Sequence, residues 1–308
     1  AAGTLYLDGN LDGVVDGGET IIAGTYIDVA DIDAGRLKFK SDANTFGANY
    51  TSFDSQVQDD GGQINGGEDT DQSPNTITVN VNEAFRIEGN IVEDIDGDSN
   101  LADAVGVDGV TVSLYQDTDA IAGVSAGDTF VTSTTTTLGG FYSFVGLTDD
   151  TYFVVVDSTT IGASGGYNGT YTINDVWAEQ TYGVAGALVA DGAGGTTTLG
   201  ANGAAFGGKL GDVSDNAGSL MTAEHVTVVS STAGNDAVNI DSGFSFNVVT
   251  GVTDGGQGTL RSFVDNANAI VGDNTMRFVP TIAANETGAN GDWWGVTLST
   301  GLATLSDA

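Results

Sequence analysis

The stretch "LYLDGNLDGVVDGGETI" (residues 5–21) sets oxygen-bearing side chains at the first, third, fifth, ninth and twelfth places counted from Asp8. They are Asp8, Asn10, Asp12, Asp16 and Glu19, with Gly13 at the sixth place. This is the spacing of a calcium loop of the helix–loop–helix type. In such a loop Val14 lends its carbonyl, Asp16 a direct or water-mediated contact and Glu19 a bidentate carboxylate. The flanks do not suit helices. "TLYL" and "TIIAGTYI" are β-branched and aromatic runs that favour extended backbone. A cation loop carried between strands is the expectation, in a chain that is all-β.

Composition agrees with that class. The 308 residues include 47 glycines, and short apolar runs alternate with Thr, Ser, Asn and Asp, as in a chain of strands and tight turns. Seven Lys and Arg stand against 42 Asp and Glu, a net charge of −35, spread through a sequence that is 40% hydrophobic. The chain is thus a folded acidic protein rather than an acidic tail. Nucleic acid and anionic membranes would be repelled, and cations are the natural partners. Cysteine is absent, so no disulfide can staple the loops. No run is long enough to span a bilayer, and "AAGTLYLDGN" lacks a signal-peptide pattern, so a soluble, processed or excised piece is expected.

Three segments follow one another. Residues 1–83 read as strands and loops: "TLYL", "GTYIDVADI", "GRLKFKS", "YTSFDSQVQD" and "NTITVNVN", the last placing Ile77, Val79 and Val81 on one half-buried face. Through "AGRLKFKSDANTFGANYTSFDSQVQ" and onward to "NTITVNV" this part resembles a bacterial cadherin-like adhesin repeat, which implies a β-sandwich module. Residues 84–250, with "GVTVSLY" and the hairpin "GFYSFVGL…TYFVVV", resemble the prealbumin-like B-repeat of bacterial surface-adhesin stalks. That resemblance implies a second sandwich whose final strand comes late, as "VNIDSGFSFNVV", after a Gly/Ala/Thr-rich insertion at about 161–222. In residues 251–308, Leu260, Phe263, Val264, Ala267 and Val271 recur at helical spacing. This short helix and "WWGVTLSTGLATLSDA" resemble the opening of a right-handed parallel β-helix, with Trp293 and Trp294 expected to pack on the helix. Some B-repeats carry a Lys–Asn isopeptide bond, but residues 85–156 contain no lysine, so that feature is not expected.

Further acidic groups are candidate Ca2+ ligands. Asp94, Asp96, Asp98 and Asn100 repeat the loop spacing with Val105 at the twelfth place, where Asp103 is expected to substitute from a shifted position. Asp59, Asp60, Asp69 and Asp71 converge if the arms of their loop meet, and so do Asp117, Asp119 and Asp128. Catalysis has little support: His225, the only histidine, suits packing better than proton transfer. The composition and resemblances together imply a non-enzymatic, extracellular, calcium-stabilised structural or adhesive protein of a cell surface. It would be a stalk, surface-layer or filament subunit that self-associates head to tail through strand contacts, with surface glycans or other cells as further partners. The other readings are the N-terminal part of a carbohydrate-active β-helix enzyme and halophilic adaptation without specific ions.

Overall fold

The computed structural model describes residues 3–306 apart from 44, 60, 120, 122, 194, 211–214, 232–234 and 273. The chain is all-β and divides into two compact units, Ala1–Glu83 and Ala84–Ala308. Among the described residues no helix is long and apolar enough to cross a membrane.

In the first unit β1 (Thr4–Leu7) pairs antiparallel with β2 (Leu37–Lys40), placing Tyr6 opposite Lys38. A second ribbon pairs β3 (Gly47–Ser55) with β4 (Asn75–Val81). The stretch "GTYIDVADI", expected as a strand, instead turns into helix α1 (Val29–Asp33). Asp28 caps it by accepting from Ala30 N at 2.8 Å, and Gly35 at φ +69° ends it, so local capping overrides the β-branched run. Of the face expected on β4, Val79 and Val81 are half-buried, while Ile77 is 45% exposed. Among the described residues of this unit, Tyr6 is the one buried hydrophobic side chain.

The second unit is built on two sheets. One has the order β15–β10–β7–β8, from His225–Ser230, Thr151–Val156, Thr111–Gln116 and Thr129–Thr135. The other runs β14–β11–β16–β5–β6, from Gly203–Ala204, Glu179–Gly183, Ser242–Ser245, Phe85–Glu93 and Val105–Gly106, with β9 (Phe141–Leu147) also on β5. Phe85, Ile87 and Ile91 of β5 meet Leu114, Tyr152 and Val154 of the opposite sheet in the main core. The late strand β16 lies parallel to β5, Ser242 opposite Ile91.

The Gly/Ala/Thr-rich segment is woven into this core. Its β11 is an inner strand of the second sheet, while β12 (Leu188–Ala190) pairs with β13 (Thr196–Thr198). Leu188, Leu220 and Ala223 cover the outer face of the first sheet, packing on Phe153 and Val155. Strand β10 is therefore buried on both faces, which explains the unbroken apolar run "TYFVVV". His225 is buried edge-on to Phe244 at 5.0 Å, and burial pushes its pKa down to about 3, so it packs as a neutral ring beside Glu224.

Residues beyond 250 group with this unit. Thr259 caps α2 (Leu260–Ala269), whose Phe263, Val264 and Ala267 pack on Val249. The helix stops before Val271, which is 49% exposed, because Ile270 is already extended and Gly272 takes φ +112°. A parallel two-residue pairing joins β17 (Val248–Val249) to β18 (Arg277–Phe278). Trp293 and Trp294 are the pair expected on α2. They lie at hairpin β19 (Glu286–Gly288) and β20 (Gly291–Trp293), 48% and 40% exposed, with the Trp294 indole N–H bonded to Ile282 O at 2.9 Å. From residue 294 to 306 the chain forms no strand, so the β-helix rung expected in this segment is not formed.

Candidate metal centres in the acidic loops

Asp94 follows β5 directly and is 1% exposed, its N–H bonded to Phe244 O at 2.7 Å. From there the chain folds back over the carboxylate. Asp98 N donates to Asp94 Oδ1 at 3.3 Å and to Asp96 Oδ1 at 3.2 Å, Ser99 N to Asp94 Oδ2 at 2.9 Å, and Asn100 N to Asp98 Oδ1 at 2.8 Å. Thr181 of β11 adds its hydroxyl to Asp94 Oδ2 at 2.6 Å. Asn247 Nδ2 holds Ile95 O at 2.8 Å, and Gly97 leaves no room for a Cβ against Val248. Carboxylate oxygens of Asp94, Asp96 and Asp98 come within 4.8 Å of one another. Burial first, with Asp96 adding to it, pushes the Asp94 carboxyl up, while Thr181 and Ser99 pull it back. Asn100 turns to Ala102 N at 3.2 Å, and Asp103 is exposed outside the close group, because the chain leaves in a turn before it can fold over the loop.

The loop from Asp8 has the same wiring. Asp12 N donates to Asp8 Oδ1 and Asn10 Oδ1 at 3.2 Å each, Gly13 N to Asp8 Oδ2 at 2.9 Å, and Val14 N to Asp12 Oδ1 at 2.8 Å. Left-handed residues fall at the same places: Leu11 (φ 61°) and Gly13 (76°) here, Gly97 (66°) and Ser99 (65°) in the other loop. Glu19 closes the loop, Oε1 accepting from Gly9 N and Oε2 from Asp16 N, both at 2.9 Å, while Asn10 Nδ2 reaches Asp16 Oδ2 at 3.3 Å. One difference stands out. The Lys38 ammonium of β2 sits 2.9 Å from buried Asp8 Oδ2 and, more than any other contact, holds that carboxyl below its ordinary range. The acids of this loop do not form one of the close carboxylate groups found among the described residues.

The turn between β7 and β8 makes another close group, Asp117, Asp119 and Asp128, its arms meeting as the sequence required. Ser125 joins two of them, N–H to Asp128 Oδ2 at 2.6 Å and hydroxyl to Asp119 Oδ2 at 2.5 Å. Burial, then the neighbouring Asp117 and Asp119, pushes Asp128 up. In the fourth candidate the arms also meet, with Asp59 N on Asp69 O and Asp71 N on Val57 O at 2.8 Å. Their side chains part: Asp59 caps Gly61 N, Asp69 binds Gln58 and Gln63, and Asp71 caps Ser73 N. These carboxylates serve turns and do not gather, and Asp60 lies outside the described residues.

Thr181, Lys38, Ser125 and Asn247 escaped sequence reasoning. Three of them reach their loops from 30 to 152 residues away, where no spacing rule applies. The groups at Asp94 and Asp117 are all-oxygen donor sets able to hold a hard cation, which would also relieve the crowding of three carboxylates. No known protein-family model matches the chain.

Proposed function

We propose that this chain is an extracellular, calcium-stabilised structural and adhesive protein of a microbial surface, acting as a stalk, surface-layer or filament subunit and not as an enzyme. What carries the reading is the shared wiring of the Asp8 and Asp94 loops, one in each unit, with donor atoms of the kind Ca2+ takes. The resemblance of both units to surface-adhesin repeats supports the location. Stability supports the ion. A unit whose described residues bury only Tyr6 among hydrophobic side chains needs another source of order. Calcium binding the folded form alone at about 100 times its dissociation constant adds about 2.7 kcal/mol per site. Self-association through strands is supported by β8, an edge strand without Lys or Pro, with Phe130 53% exposed.

Chelation is expected to lower the melting temperature substantially, and monovalent salt at equal ionic strength is expected not to restore it, which separates bound ions from charge screening. Glu19→Gln should reproduce part of the loss. Sedimentation in calcium should show species larger than the monomer. An unchanged melt in excess chelator would sink the calcium reading.

A further inference from the structure

A cleft of about 330 Å³ lies between the turn Ile173–Asp175, Trp177 and the polar side of α2, with Ala303 also on its wall. Its size falls at the lower end of small-ligand sites, which run from about 300 to 1,000 Å³. Two aromatic side chains line it, Trp177 and Tyr171, 38% and 44% exposed.

The walls are held rigidly. Asn266 Oδ1 accepts from Trp177 N at 2.9 Å, while its Nδ2 donates to Trp177 O at 2.7 Å and Phe246 O at 2.9 Å, so one amide clamps the Trp177 backbone on both sides. Asn268 does the same for the segment carrying Ala303, donating to Thr304 O at 3.1 Å and accepting from Ser306 N at 2.7 Å. Thr172 caps one oxygen of Asp175 through N–H and hydroxyl at 2.8 and 3.0 Å. The Asp265 carboxylate and Asn174 amide are exposed at the cleft and make no side-chain hydrogen bond among the described residues.

The chemistry of this lining selects a ligand. Exposed indole and phenol rings favour an apolar face to stack upon. Carboxylate and amide groups beside them, with no Lys or Arg among the lining residues, favour a rim of hydroxyl donors and disfavour an anion. A sugar ring has both features: an apolar C–H face and a hydroxyl edge. We propose that this cleft binds a small neutral saccharide, its ring stacked on Trp177 and its hydroxyls donating to Asp265 and the uncapped oxygen of Asp175. An organic cation would use the aromatic rings and the acids but leave Asn174 and Ser262 idle. The proposal goes beyond the calcium reading and stands without it, since no lining residue belongs to the acidic loops.

The test is calorimetric titration of the full chain, in calcium and in chelator below the melting temperature. Neutral oligomers of glucose, galactose, mannose, xylose and N-acetylglucosamine are the probes, with oligogalacturonate and choline as comparators. At least one neutral oligomer should bind with a dissociation constant in the millimolar range or tighter. Trp177→Ala and Asp265→Asn should each weaken that binding about tenfold or more, roughly one decade in the dissociation constant, while Trp293→Ala with Trp294→Ala leaves it unchanged. Should Trp177→Ala fail to fold, Asp265→Asn and Asn174→Ala on the exposed wall carry the test. The proposal is overturned if no neutral oligomer binds, if choline or oligogalacturonate alone does, or if binding survives these substitutions.

Discussion

A carboxylate as enclosed as Asp94, with Asp96 and Asp98 within 4.8 Å, is comfortable as an anion only beside a cation. Held above its ordinary value of 3.8 mainly by burial, it binds its proton more tightly folded than unfolded. Without metal it therefore erodes stability as pH rises from 3.8 through the folded value. Asp94→Asn should then melt higher than the native chain in chelator at neutral pH, by about 2–4 °C for each kcal/mol relieved, and the gap should close toward pH 3.8. In calcium the order should reverse. An Asn variant that melts lower in both conditions would show that Asp94 is needed for structure alone. Asp8 meets the same demand with the Lys38 ammonium. Lys38→Met should raise the calcium affinity of that loop about tenfold, or about 1.4 kcal/mol, leaving the Asp94 loop unchanged in a two-site titration. Equal affinities in the two proteins would mean that Lys38 does not share the site.

Strand β10 shows how an element records its surroundings. After Thr151 its five residues Tyr152 to Val156 are apolar on both sides because sheet lies on one face and the Gly/Ala/Thr-rich segment on the other. Phe153→Ala should cost about 3–5 kcal/mol and Leu220→Ala about 2–5 kcal/mol, measured by denaturant unfolding. Losses well under 1 kcal/mol for both would mean that this covering layer is not packed as described. The sequence marked the run as one strand of a hairpin, but not that both of its faces are buried or by what. For α1 the reverse holds: Asp28 and Gly35 were visible start and stop signals, masked by the β-branched residues between them.

The two units differ in how much apolar side chain they bury. The second has extensive cores around Phe85, Leu114 and Phe244, while in the first Tyr6 alone is buried among the described hydrophobic residues. Chelation should therefore raise hydrogen exchange most across residues 1–83, with the amides of β5, β7 and β10 keeping their protection. Equal deprotection of both regions, or none in either, would contradict a unit held mainly by ions.

Sequence by itself determined what depends on neighbours within about a dozen residues. The alternation of strands, the loops from Asp8 and Asp94 and the capped helix α2 all follow from spacing, because a backbone amide two to five positions on is within reach of an Asp side chain. Tertiary structure decided the rest. It gathered Asp117 with Asp128, kept Asp69 from Asp71, and placed Lys38 on Asp8 and Thr181 on Asp94. It also laid the Gly/Ala/Thr-rich segment over β10 and set Trp177 beside α2. The contacts of Lys38, Thr181 and Trp177 join residues 30 to 89 positions apart, where closing the loop carries an entropy that grows only slowly with its length, and in the two short acidic turns the side-chain partners are likewise set by the fold around them. Packing, not spacing, therefore chooses the partner.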